Sequence, residues 1–434
     1  MSDDLPAADL EAPPAAAAAP HEPRNFAALV LHTVVFRIGW TFKQESIIMA
    51  AFLDAIAGQD WVRGLLPTLR LGQNVSPLLW AGALRDSPSK KLPLTAFTLL
   101  ISAPYLVLAV LWWRLAGQTQ AWLPAVFLAL YFAFSVLYGI QQLALGTAQG
   151  KLIRPRRRGR LLWVAQLAGL PPVIVLMKLS MPHWLAEPAA GFVWIFAAAG
   201  GCFILAALAA AWLREPADPI LPARRSAGRG IRAAAGETWR VLREDANLRV
   251  LVAVVLLFSG VLLLAPHFQA YARVRFALTK PEMAPLATDW LIVQTISVSL
   301  FSFALGPLAD WRGNRLALRL LLVGGAAAPV LAVALGQLPP ALGKQWYWLV
   351  YIPQGLSPLL MQLATNYTLE IARHEHHPRY LGTLTGFLAV PFLFSPLLGQ
   401  AITVLGFESA FLSVAVLAAL AAALTFKLRE PRRA

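Results

Sequence analysis

From Phe26 to Phe426 the chain is a succession of apolar runs, each about 20 residues long and able to cross a hydrocarbon layer about 30 Å thick. No water-soluble core absorbs that much apolar sequence. With 58% hydrophobic and 14% charged residues, the chain is far from the roughly 25% charged content of a soluble domain. The runs read as an all-α membrane protein with twelve transmembrane helices, near 26–57, 62–84, 94–113, 120–146, 161–179, 190–213, 248–270, 286–306, 316–337, 346–370, 382–404 and 409–427. Residues 1–25 carry Asp3, Asp4 and Glu11 among Pro and Ala. They read as a disordered cytoplasmic tail rather than a cleaved signal, having neither a basic nor an apolar signal region.

The net charge of +15 has to be read against topology. Most of the 37 basic residues fall in segments that share one face. These are Arg24; Arg85, Lys90 and Lys91; Lys151, Arg154, Arg156 to Arg158 and Arg160; the arginines from Arg214 to Arg249; Arg312, Arg315 and Arg319; Arg373 and Arg379; and Lys427, Arg429, Arg432 and Arg433. The opposite face holds Arg63, Arg114, Lys178, Arg273, Arg275, Lys280 and Lys344. The bias predicts both termini in the cytoplasm of a cell, or inner, membrane. The Arg156 to Arg158 cluster then meets anionic lipid, not nucleic acid. Cys202 is the single cysteine, which excludes a disulfide within the chain and a cysteine-based metal site.

The longest polar interval separates six helices from six. It predicts an N-terminal bundle over 26–213, a cytoplasmic linker over 214–247 with an amphipathic stretch around Trp239 and Leu242, a C-terminal bundle over 248–427 and a tail over 428–434. A signature recurs in the two halves. Gly82-x-x-x-Asp86 is followed by Lys90 and Lys91, and Gly306-x-x-x-Asp310 by Gly313 and Arg315, each at a joint between helices. The basic joints at 151–163 and 370–382 form a second matched pair. Internal repeats of this kind are what secondary transporters are built from.

These features together resemble the major facilitator superfamily over about residues 26–427. The resemblance implies two pseudo-symmetric six-helix bundles and transport of a small solute by alternating access. It also implies a conformational latch at Gly82, Asp86, Lys90, Lys91, Gly306, Asp310, Gly313 and Arg315 that holds the outward-facing state. The copies depart from the family pattern at Trp311, where a basic residue is usual, and at Ser89, where a glycine is. Helix 4 lacks the embedded arginine of many proton-coupled members, and helix 5 lacks the Gly-rich pattern of antiporters. Without the family, the chemistry still reads: the glycine permits close helix approach, the aspartate accepts from a helix N-terminus, and the bases hold the turn at the leaflet.

Charges deep in a membrane cost several kcal/mol each unless paired or wet, so they are functional by default. Helix 1 carries Arg37, Lys43, Gln44 and Glu45, and helix 2 carries Arg70, Gln73 and Asn74. At about 100° per residue Lys43 lies nearly opposite Glu45. Either helix 1 breaks after Gly39, or one charge serves a fixed ion pair. Glu45 and Arg70, about 18 and 12 Å deep, are within bridging reach, as a structural pair or one that substrate remodels. The second half offers Gln294, Gln354, Gln362 and Asn366, the last two pointing inward together with Glu370; interhelical hydrogen bonds explain them as well as solute contact does. His267, Gln269, Asp54 and Asp289 read as interfacial. His374-Glu375-His376-His377 has no second ligand cluster, so no metal is expected and no cofactor. The expected partners are a small-molecule substrate, a co-transported proton or other ion, and the bilayer, around a monomer. The competing reading is a membrane-embedded lipid-handling protein or enzyme, which would need clustered carboxylates or histidines at one membrane face.

Overall fold

The computed structural model describes residues 21–215, 231–372 and 377–430, and its regular structure is helical throughout. Among these residues ten helices are long and apolar enough to span a membrane: Glu22–Ile56 (helix 1), Lys91–Arg114 (helix 3), Leu123–Leu152 (helix 4), Val164–Ala186 within Pro155–Ala186 (helix 5), Pro188–Ala211 (helix 6), Ala246–Arg275 (helix 7), Pro281–Ala309 within Lys280–Arg312 (helix 8), Asn314–Gly336 (helix 9), Tyr380–Leu405 (helix 11) and Phe407–Lys427 (helix 12). The other two of the expected twelve are broken. Helix 2 runs as Asp60–Arg63, Leu65–Thr68 and Leu71–Asp86. Helix 10 runs from Pro340 to Ile371 through two 3₁₀ turns, Tyr347–Val350 and Ser357–Leu359. Both were expected to be continuous. Prolines at Pro67, Pro353 and Pro358 remove backbone donors at the interruptions. At Gly355 any side chain would collide with Ser297 and Val298 of helix 8, Ser297 Cβ being 2.6 Å from where a Cβ would stand.

The repeat is visible in the packing. Helix 6 lies along helices 1 and 3, and helix 12 along helices 7 and 9, while helix 5 against helix 8 and helix 11 against helix 2 join the two bundles. The last two pairings exchange under the repeat. Large apolar side chains such as Leu208, Leu300, Phe303, Val323 and Val404 stay exposed, as a lipid-facing surface requires. The interior of the first bundle is aromatic: Phe36, Tyr105, Phe134, Tyr138 and Phe203 form one connected cluster. Such close contacts drive helix association where lipid is as apolar as the side chains. Helix ends are capped from the sequence. Asp245 accepts from the N–H groups of Asn247 and Leu248 at 2.8 and 3.0 Å, and Thr279 with Glu282 forms a capping box at helix 8. The linker helix Ile231–Glu244 packs on helices 7 and 11 and buries Val241 and Leu242, leaving Trp239 exposed.

Candidate functional site

Helix 1 is α-helical to Phe42, turns extended at Gln44 (φ −45°, ψ 117°) and continues as a π-turn over Glu45–Met49. Of the two alternatives for this segment, the break occurs, a few residues beyond Gly39. A π-turn re-aims side chains that a straight helix would hold apart. Lys43 and Glu45 therefore reach the same partner. Lys43 Nζ donates to Tyr131 Oη at 3.0 Å, Tyr131 Oη donates to Glu45 Oε2 at 3.0 Å, and Arg70 Nε donates to the same oxygen at 3.1 Å. Lys43 also stands 3.8 Å from the centroid of the Trp40 ring. This buried chain links helices 1, 2 and 4.

The chain borders a cavity of about 380 Å³ between the bundles. One wall is Trp40, Lys43, Gln44, Glu45, Ser46, Arg70, Gln73, Asn74 and Tyr138; the facing wall includes Leu262, Gln294, Gln354, Ser357, Met361, Leu388 and Phe392. Gln44 Nε2 and Ser46 Oγ both donate to Gln294 Oε1, at 2.9 and 3.0 Å, across the boundary between the halves. Glu45 Oε1, Gln354 Oε1 and Ser357 Oγ are buried with no hydrogen-bond partner among the described residues. The first wall is charged and the second neutral.

Several expected residues lie elsewhere. Arg37 is not part of the cavity wall: it bonds the carbonyl and side-chain oxygens of Gln166 and, from Nη2, Ser299 Oγ of the other half at 2.7 Å. Gln362 and Asn366 do not line the cavity, and Gln362 is exposed. The break at Gly355 and the 3₁₀ turn after it rotate the second segment of helix 10, so Gln354 and Ser357 face inward instead. Asp54, His267 and Gln269, read as interfacial, are buried within the protein. Asp54 is bonded by Arg63 of its own half, with Arg63 Nε at 2.7 Å, and by Arg273 of the other at 3.4 Å. Asp289 does stay exposed, 3.2 Å from Lys178. Tyr131, Trp40 and Ser357 were not singled out from sequence, since aromatic and hydroxyl side chains carry no charge to mark them.

At the basic face the joints are held within their own halves. Glu215 accepts from Lys151 Nζ, the Lys90 and Lys91 N–H groups and Ser89 Oγ at 2.7 to 2.8 Å. Burial pushes its carboxyl up, but these bonds outweigh burial and hold it below the ordinary carboxylate range. Glu430 sits 3.3 Å from Arg315, and Gly313 adopts φ +92° where a Cβ would stand 2.6 Å from Glu430 Oε1. Asn25 accepts from the Arg214 N–H at 2.8 Å and Asn247 from the Arg429 N–H at 3.0 Å. These matched docks end in Leu213-Arg214-Glu215-Pro216 and Leu428-Arg429-Glu430-Pro431, an identical tetrapeptide 215 positions apart that was the readable signal for both. Close approach at Gly306 is not found, since a Cβ there would meet nothing within 4 Å. The Gly82, Asp86 and Asp310 side-chain positions, like residues 373–376 of the histidine run, lie outside the described residues.

Residues 283–434 match the family model described as the Major Facilitator Superfamily. No curated protein matches the sequence. The fold is similar to a mutant of the nucleoside transporter NupG (13% identity, TM-score 0.67, covering 93% of this chain and 100% of that one). It is similar as well to a bacterial homolog of the human lysosomal transporter Spinster, inward-facing and unoccupied (14%, TM-score 0.60, 94% and 97%), and to the E. coli fucose:proton symporter FucP (15%, TM-score 0.57, 94% and 99%).

Proposed function

We propose that this chain, a member of the major facilitator superfamily, is a secondary transporter that moves a small polar or charged solute through the central cavity by alternating access, and that the state described is open toward the basic face. One observation carries the reading. Every polar contact described between the halves lies at mid-depth or toward the opposite face: Arg37 with Ser299, Gln44 and Ser46 with Gln294, Lys178 with Asp289, and Arg273 with Asp54. The networks of the basic face, around Glu215 and around Glu430, each stay inside one half. Among the described contacts the halves are thus pinned at one end, around a polar cavity, and not at the other.

Transport rather than catalysis fits a site whose charges are spread over helices 1 and 2, without the clustered carboxylates an enzyme would need. The basic face is cytoplasmic under this reading, with both termini on it. Glu45 is the group best placed to carry a coupled proton: its Oε2 is shared by Arg70 and Tyr131 and its Oε1 is free. Solute that draws Arg70 away leaves Glu45 without its ion-pair partner. The latch residues, Asp86 and Asp310 with their basic neighbours, would act in the opposite, outward-facing state.

The test starts with a thermal-shift screen of purified protein against polar metabolites, since a ligand stabilises by RT ln(1 + [L]/Kd). Each stabilising solute is then followed in proteoliposomes by counterflow and by uptake under a proton gradient. Exchange of a stabilising solute is the expected result. Solutes that stabilise the protein and never cross would contradict transport. Glu45→Gln should lose gradient-driven accumulation and keep counterflow.

A further inference from the structure

We infer that the solute is a small monoanion, its anionic group seated against Lys43 Nζ and its hydroxyl or amide donors turned to the helix 10 wall. This narrows the transport reading to a substrate class and rests on it. Among the described residues the cavity wall holds two cations, Lys43 and Arg70, against one carboxylate, Glu45. Arg70 is the cation that pairs with Glu45 directly. Among the described residues Lys43 has no carboxylate within ion-pair distance; its partners there are the Tyr131 hydroxyl and the rings of Trp40, Tyr131 and Phe134.

Those partners orient the ammonium; Glu45, reached from Lys43 only through the Tyr131 hydroxyl, pairs directly with Arg70, so one carboxylate answers two cations, and Lys43 is only 4% exposed. A buried charge left uncompensated is costly, so an anion bound beside it recovers energy that a neutral or cationic solute cannot. Arg37 adds to the same field, because Gln166 and Ser299, its partners, are neutral. The facing wall contributes Gln294, Gln354 and Ser357 and no charge. Glu45 Oε1 and Gln354 Oε1 are unpartnered acceptors, which a solute bearing hydroxyl or N–H groups would satisfy. A zwitterion would leave the excess positive charge in place. The volume of about 380 Å³ suits a small molecule.

The probe is a pair of thiol reagents of similar size, 2-sulfonatoethyl methanethiosulfonate and its trimethylammonium counterpart. They are applied to the full chain carrying Asn74→Cys with Cys202→Ala, with rates normalised to a free thiol. The sulfonate should be favoured about tenfold or more, Lys43→Gln should remove that preference, and Lys43→Arg should keep it. Glu45→Gln, a change of opposite sign, should raise the preference and serves if Lys43→Gln does not fold. Equal rates for the two reagents, a preference for the cation, or a ratio that ignores both Lys43 and Glu45 would overturn the anion assignment while leaving the cavity reading standing. If neither reagent reaches the thiol introduced by Asn74→Cys, the cavity is closed to solutes and both readings fall.

Discussion

Glu45 is the residue on which the site turns, because one of its oxygens takes Arg70 directly and Lys43 through the Tyr131 hydroxyl. Its loss and the loss of Arg70 are therefore not equivalent. Glu45→Gln leaves Lys43 and Arg70 facing each other with no carboxylate; Arg70→Gln leaves Glu45 still bridged to Lys43 through Tyr131. Glu45→Gln should lower the folded yield and melting temperature more, on the order of 3–5 kcal/mol for an unpaired buried charge. The double change should recover much of that loss, giving a coupling of about 0.5–3 kcal/mol. Additive losses in a double-mutant cycle on purified protein would show that the pair does not interact. Much of this site was legible beforehand, since charge in a membrane marks itself: Lys43, Glu45 and Arg70 stand out in any apolar run. Tyr131 and Ser357 do not. Arg37 was misplaced because depth alone cannot say whether a cation faces a cavity or a neighbouring helix.

At the scale of elements, the two broken helices and the two tetrapeptide docks decide the geometry. The interruption at Gly355 turns Gln354 and Ser357 inward and Gln362 outward, and period counting along an assumed straight helix cannot foresee it. Ten of the twelve expected spans were readable among the described residues because span length is set by the bilayer itself. The docks make a separable prediction. Glu215 binds the Lys90 and Lys91 N–H groups, so Glu215→Gln should speed hydrogen exchange at those amides about tenfold or more while the joint at 313–315, held by Glu430, is unchanged. Because the carboxyl is held below the ordinary value of about 4.3, its stabilisation is present above that pH and is lost as pH falls through the lower folded-state value. Protection of these amides should accordingly hold at neutral pH and weaken only in acid. Protection that does not respond to Glu215→Gln would show that the dock is not what orders the joint. For the latch, Asp86→Asn and Asp310→Asn should each reduce uptake at unchanged membrane abundance; wild-type uptake in both would end that assignment.

For the whole molecule, the claim is that two rigid halves rock about the central cavity, pinned in this state at the end where Asp54 meets Arg63 and Arg273. Arg273→Ala removes the cross-half ion pair and leaves Asp54 with Arg63, so it should destabilise the closed end without exposing an unpaired acid. Population shifts of this kind need only a few kcal/mol of differential stability. The most direct measurement is double electron–electron resonance on two doubly spin-labelled proteins in lipid, one labelled at the exposed positions Trp61 and Val274 of the pinned end and one at Leu92 and Trp311 of the basic face. Wild type should show a short distance at the pinned end and a long one at the basic face, and Arg273→Ala should shift population toward the reverse, the first distance lengthening as the second shortens. Distances that lengthen together, or a basic-face distance that ignores the loss of Arg273, would contradict alternating access about this cavity.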